Sequence, residues 1–268
     1  MTKTILNRIA SLACLTAFLL GFVSSPSTSP PASANAAQDS SRPVLAEQFT
    51  GTWCPFCPGS SGALERLEGQ LGSENLIVLA YHHAAGRSDP YHNQDSVDRT
   101  NFYRVTGFPT VYFNGAYSFV GGSTNPNESD IDSGYMIRYQ LASQRPTPLQ
   151  VELTGRLIME SPTRYTAHSE TVVTVNRQIK NQLVVRAVLT ENSLQFRAPN
   201  GETHFDWVVR DVFDASPLTV TEPGQQETFA RDVVVQPGWN PQNLAIVVFV
   251  QADMAARPEV LGVAKVDL

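Results

Sequence analysis

Phe49-Thr50-Gly51-Thr52-Trp53-Cys54-Pro55-Phe56-Cys57-Pro58 is the stretch on which the reading of this 268-residue chain turns. Two cysteines stand three positions apart. Val44 to Phe49, just before them, has the composition of a short strand, and Ala63 to Leu71, just after, carries Leu64, Leu67 and Leu71 on one helical stripe. Pro58-Gly59-Ser60-Ser61-Gly62 is a poor helix interior, so the helix is expected to begin irregularly and settle at Ala63. A Cys-x-x-Cys on a strand-to-helix turn suits disulfide exchange. The unpaired N–H groups of a helix start stabilise the Cys54 thiolate, and Cys57, one turn on, faces the same side and resolves the mixed disulfide. Pro55 fits a first helical position, where its missing N–H has no intrahelical partner, whereas Pro58 removes an early hydrogen bond.

The N-terminus reads as an export signal over residues 1–36. Lys3 and Arg8 precede an apolar run, Ile9 to Val23, and a Ser/Pro/Ala-rich stretch ends in Ala34-Asn35-Ala36, a small-residue cleavage pattern. The run is short for a membrane span. Cleavage after Ala36 removes Cys14 and leaves Cys54 and Cys57 as the sole thiols, with one intramolecular pairing open to them. Export, to a periplasm or to a cell surface or outer membrane, places them where disulfides persist. The chain carries a net charge of −6 and 42% hydrophobic residues, which fits a globular protein with a sizeable core. It has no basic block, and nucleic acid is not an expected partner.

Past the motif, Leu76 to Tyr81 is a continuous apolar run of the kind a central strand shows. His82 to Asp95 reads as a polar loop holding His82, His83 and His92, with a turn at Ser88-Asp89-Pro90. Asp95 or Ser96 is expected to cap a helix to about Arg104. Thr110 to Phe113 is a strand, Asn114-Gly115 a hairpin turn, and Ala116 to Val120 the return strand; Ile131 to Ala142 is a further helix. Arg145-Pro146-Thr147-Pro148 marks a boundary. Residues 149–268 then show about seven β-branched and aromatic runs, from Leu149–Leu153 to Val260–Val266. The expected organisation is a domain over 37–145 and an all-β sandwich over 149–268, immunoglobulin-like in strand number but without the Cys…Trp…Cys core.

The dithiol admits other readings. As a structural crosslink it closes a loop of about four residues and stabilises by only ~2 kcal/mol in the chain-entropy model. A zinc site needs ligands that no second cysteine pair supplies. His82 or His83 could tune the thiolate or join the cysteines in handling copper, or simply be loop histidines.

Phe49 to Cys57 resembles the active-site segment of the thioredoxin superfamily, which has an aromatic five residues before the first cysteine and Trp immediately before it. Thr106-Gly107-Phe108-Pro109-Thr110 is similar to that superfamily's later Gly-x-Pro-Thr segment. Phe-Thr-Gly-Thr-Trp-Cys, Phe-Asn-Gly and the trailing β region also resemble a family of exported bacterial thioredoxin-like proteins, some of them outer-membrane or surface proteins. The resemblance implies a helix-flanked α/β thioredoxin-like domain ahead of the sandwich, and a cis Phe108–Pro109 bond. It implies Cys54 and Cys57 as redox residues, with Trp53, Phe108 and Pro109 shaping the substrate edge. It departs at Gln48, six residues before Cys54, where thioredoxins carry a carboxylate; Glu47 beside it should point to the opposite face.

The expected function is exported thiol-disulfide exchange with protein thiols or disulfides, without a cofactor or a metal. A membrane-associated redox partner, or a surface partner engaged by the β region, fits this placement. The alternatives are a surface or periplasmic binding or structural protein with a non-essential redox motif, and a copper-handling protein.

Overall fold

The computed structural model describes residues 42–253 and 257–268. The expected export signal, with Cys14, lies outside the described residues. The elements begin with β1 (Val44–Thr50), α1 (Cys57–Leu71), β2 (Leu76–His82), α2 (Gln94–Phe102), β3 (Thr110–Phe113), β4 (Tyr117–Val120) and α3 (Ser129–Ser143). Strands follow: β5 (Leu149–Ser161), β6 (Arg164–Val175), β7 (Leu183–Glu191), β8 (Leu194–Gln195), β9 (His204–Phe205), β10 (Val208–Val212), β11 (Ser216–Leu218), β12 (Gln226–Val234), β13 (Leu244–Ala252) and β14 (Glu259–Asp267).

The local reading of the first elements holds. β1 and β2 pair in parallel, and every residue of both is buried, as the continuous apolar run of β2 requires. β3 returns antiparallel to β1. Asn114 and Gly115, at φ 46° and 68°, are both left-handed, and with Ala116 they make the three-residue loop that joins the Phe113–Tyr117 pair of the β3–β4 hairpin. The helix expected near Asp95 is α2, capped instead by Asn93, whose side chain accepts the Ser96 N–H at 2.8 Å.

The expected fold class does not hold. An α/β domain flanked by helices and followed by a self-contained β-sandwich would keep its own sheet separate from the two sheets of the sandwich. The structure instead has one nine-stranded mixed sheet in the order β14-β13-β7-β10-β2-β1-β3-β4, with β11 on β7, and three α-helices among the described residues. The junction is β10. Val208 pairs in parallel with Ala80 of β2, and the Ala80 N–H donates to the Trp207 carbonyl at 2.8 Å. Strands from the second half thus extend the sheet that the first half begins. The run Thr203–Val212 reads as one sandwich strand in sequence; it is split into β9 and β10 and used for this union.

Packing explains why. One face of β1–β3, with Val78, Val111 and Phe113, meets α1 and α3 through Leu64, Leu67 and Tyr135, and Trp207 joins this cluster. The other face, with Leu45, Phe49, Ile77 and Leu79, has no layer of helices over it beyond α2. It is covered by Val247, Phe249, Val260 and Val263 of β13 and β14. The opposite face of β7 and β13 packs on a three-stranded sheet, β12-β6-β5. At the centre of the joint, Glu47 and Arg99 form a buried pair (2.6 and 3.0 Å). Tyr103 donates to Glu47 at 2.6 Å, and Gln251 of β13 accepts from Arg99 at 2.9 Å. A buried pair supported this way specifies how the halves meet, and removing one partner of such a pair costs about 3–5 kcal/mol.

Candidate functional site

The redox motif sits where β1 gives way to α1. Its sequence expectation needs one correction: the helix starts at Cys57, and Pro58, not Pro55, occupies the first turn. Gly59, Ser60 and Gly62 are buried helix residues. They belong to the helix because another segment lies on it: a Cβ on Gly59 would meet Ser123 Cβ at 2.7 Å, and one on Gly62 would meet the Pro126 carbonyl oxygen at 2.1 Å. Helix propensity gives way to close packing at these positions.

Cys54 and Cys57 are joined as a disulfide with Cα atoms 5.4 Å apart. The Cys54 N–H donates to the Gly51 carbonyl at 3.0 Å, and that of Cys57 to the Cys54 carbonyl at 3.3 Å, so the turn is closed on itself. Cys54 is 1% exposed and Cys57 0%. Phe56 between them is 52% exposed.

The structure brings Trp53, Phe108 and Pro109 together around this turn. The Trp53 indole N–H donates to the His83 carbonyl at 2.8 Å, a seat that requires glycine at position 51, since a Cβ there would lie 2.6 Å from Trp53 Nε1. The Phe108 ring meets Trp53 edge-on at 5.6 Å and His83 at 5.4 Å between centroids. The Arg87 guanidinium lies over the Trp53 ring at 5.1 Å. Phe108–Pro109 is a cis peptide, as the resemblance implies. A Cβ on Gly122 would lie 2.1 Å from the Phe56 carbonyl oxygen and 2.8 Å from Pro109 Cγ, which puts Pro109 and the dithiol turn on either side of that glycine.

Behind the turn the polar residues divide as strand alternation demands. Glu47 faces the joint with Arg99. Gln48 faces α1, where its amide donates to Ser60 Oγ at 2.9 Å and Ser61 Oγ at 3.3 Å. His82 and His83 part company. His82 is buried, its Nδ1 3.1 Å from Asp89 Oδ2. Asp89 also accepts the backbone N–H groups of Thr52 at 2.8 Å and Tyr91 at 2.9 Å. Burial alone would raise the Asp89 carboxyl, but these hydrogen bonds and the neighbouring His82 outweigh it and hold the group below the usual carboxylate range. His83 lies beside His92, and its pKa is lowered by burial and by that second imidazole. Among the described residues no group of three or more His, Cys, Asp or Glu side chains is placed to hold a metal ion.

Sequence reasoning missed one part of the site. Asn200, on the loop between β8 and β9, donates its backbone N–H to the Thr52 carbonyl and its amide to the Cys54 carbonyl, both at 3.2 Å. Nothing in Pro199-Asn200-Gly201 beyond a turn signal announces this, because the contact spans 146 residues of chain.

Comparison with known proteins bears on the fold alone. No family model matches the chain, and no curated protein does. Among solved structures, HBP35 of Porphyromonas gingivalis aligns with a TM-score of 0.63 at 18% identity, covering 85% of this chain and 76% of that one. This likeness supports the overall architecture. A glycoside hydrolase family 2 β-glucuronidase aligns over 45% of this chain and 12% of its own at 10% identity. Its TM-score of 0.32 is too low to build on.

Proposed function

We propose that this chain is an exported thiol-disulfide oxidoreductase of the thioredoxin superfamily's chemistry, acting on protein thiols or disulfides through Cys54 and Cys57. The observation that carries the reading is the convergence of the Cys54–Cys57 pair with Trp53, Phe108 and Pro109, residues more than fifty positions apart in sequence. Cys54, just ahead of the helix start whose unpaired N–H groups favour a thiolate, is assigned as the nucleophile, and Cys57, the first helical residue, as the resolving thiol. Trp53, Phe108 and the exposed Phe56 supply the apolar rim for a substrate segment. Because both sulfurs are buried, exchange requires the Trp53–Phe56 turn to move outward.

In a reduced chain, Cys54→Ser abolishes exchange with a glutathione disulfide or a disulfide-bonded protein, and Cys57→Ser accumulates mixed disulfides on Cys54. Wild type and both variants exchanging at the same rate would sink the proposal. The burial of both sulfurs favours a second reading, a binding protein with a structural crosslink. On that reading the native disulfide resists reduction by glutathione in the folded protein, and both serine variants retain full partner binding.

A further inference from the structure

Resolution of a mixed disulfide requires the second thiol to lose its proton, since the thiolate is the nucleophile. Position 48, behind the turn, carries an amide that cannot accept it. The acids and bases lining or facing the chamber beside Gln48 come from several elements: Glu65 on α1, His82 on β2, Asp89 after it, and Glu202, His204 and Asp206 from the second half of the chain. His82 and Asp89 are committed to each other, and Asp89 further to two backbone N–H groups.

Glu202 is differently placed. It lines a small polar chamber with Gln48, Thr50, Ser61 and His82. Ser61, which shares that chamber, stands one helical turn after Cys57 and on the same face of α1. The Glu202 carboxylate accepts the Asn200 amide at 2.5 Å, the same amide that donates to the Cys54 carbonyl. Ser61 in turn receives the Gln48 amide at 3.3 Å. The segment is pinned on the redox turn by the Asn200–Thr52 backbone bond.

We propose that Glu202, delivered by the β8–β9 loop, is the positioning carboxyl of the resolving step, taking the Cys57 proton by way of the Ser61 hydroxyl. The proposal rests on the exchange reading above. Cys54 thiolate attacks a substrate disulfide, forming the mixed disulfide and releasing one substrate thiolate, which takes a proton from water. Cys57 then gives its proton through Ser61 to the Glu202 carboxylate, and its thiolate attacks Cys54 Sγ. The Cys54–substrate bond breaks, the Cys54–Cys57 bond forms, and the second substrate thiolate leaves and is protonated from Glu202. The substrate disulfide is reduced by two electrons and the dithiol oxidised by two. Burial pushes the Glu202 carboxyl up, with Asp89 adding to it, against the neighbouring Ser61 hydroxyl, the Asn200 hydrogen bond and the charge of His82. A carboxyl raised in this direction is a better proton acceptor near neutral pH.

The test uses Glu202→Gln, which preserves the acceptor for Asn200. In a Cys54→Ser background the ultraviolet thiolate absorbance of Cys57 is titrated with and without Glu202→Gln. With both cysteines present, release of the second equivalent of thionitrobenzoate from its disulfide dimer reports resolution. The expected results are a lower Cys57 pKa in Glu202→Gln and resolution slower by about a hundredfold near neutral pH, the low end of general-base effects, with Glu202→Asp retaining most of the rate. An unshifted Cys57 rejects the proposal. A lowered pKa with faster resolution also rejects it, because Glu202 would then act as a charge alone. Since the titration needs no exchange, it decides on Glu202 independently; failed wild-type exchange with a shifted Cys57 rejects the exchange reading instead.

Discussion

Asp89 shows what one residue does once its surroundings are known. In sequence it is the middle of Ser88-Asp89-Pro90, a turn. In the structure its side chain is 0% exposed and anchors Thr52, two residues before Cys54, as well as His82. Its pKa is depressed from 3.8, so its stabilising contribution is present above 3.8 and is lost as pH falls below that value through the lower folded pKa. Asp89→Asn is expected to destabilise the protein at neutral pH by about 1.5–3 kcal/mol, the range for hydrogen bonds to a charged group. The difference between variant and wild type should shrink well below pH 3.8, as read from urea midpoints. A difference that does not change with pH would show that the carboxylate's charge is not what matters. At this scale the cysteines, Trp53 and Phe108-Pro109 were legible in sequence, because each belongs to a local motif. Asp89, Asn200 and Glu202 were not, because their roles depend on which backbone groups lie opposite them.

Among the elements, α1 is the instructive one. Its stripe of Leu64, Leu67 and Leu71 is plain in sequence, whereas its glycine, serine and proline predict an irregular start settling at Ala63, and the structure has regular helix from Cys57. The two glycines Gly62 and Gly69 separate the causes. At Gly69 nothing lies within 4 Å of an added Cβ, so Gly69→Ala is expected to stabilise by roughly 0.5–1 kcal/mol through helix propensity. Gly62→Ala gains the same propensity but drives a Cβ to 2.1 Å from the Pro126 oxygen, and a net loss of about 1–3 kcal/mol is expected from overpacking. Thermal melts of both variants check this; a stabilised Gly62→Ala would mean that the 123–126 segment moves aside freely. The strands and the Asn114-Gly115 hairpin were readable because period and turn chemistry act over a few residues. β10 was not, because a strand's partner is not written in its own pattern.

For the whole molecule, Arg145–Pro148 connects α3 to β5, and the packing crosses it. Leu45, Ile77 and Leu79 share a cluster with Val247, Phe249 and Val263. Burying a large apolar side chain is worth roughly 1.5–3 kcal/mol, and an ordinary domain is stable by about 5–15 kcal/mol in total. Residues 42–148 expressed alone are therefore expected to lack a cooperative unfolding transition and to show little slow amide exchange in β1 and β2. A stable, cooperatively folding fragment would overturn the view that the second half completes the core of the first. The same dependence puts Asn200 and Glu202 at the dithiol, so separating the halves should also change the thiol chemistry.

By itself the sequence determined the dithiol motif, its strand-to-helix setting, the hairpin, the aromatic neighbours of the cysteines and the β-rich character of the second half. These follow from spacing, turn residues and hydrophobic period, all of them short-range, except the aromatic neighbours, which the resemblance to the thioredoxin superfamily implies. Only the tertiary structure decided that the strands form one sheet across both halves and that a loop from beyond residue 190 lies against Cys54. It also decided that Gln48 reaches Ser60 and Ser61 while Glu47 reaches Arg99. The physical reason is that β1 and β2 carry apolar residues on both faces: the sequence requires two covers for them, but which distant residues supply the second cover is settled only when the chain packs.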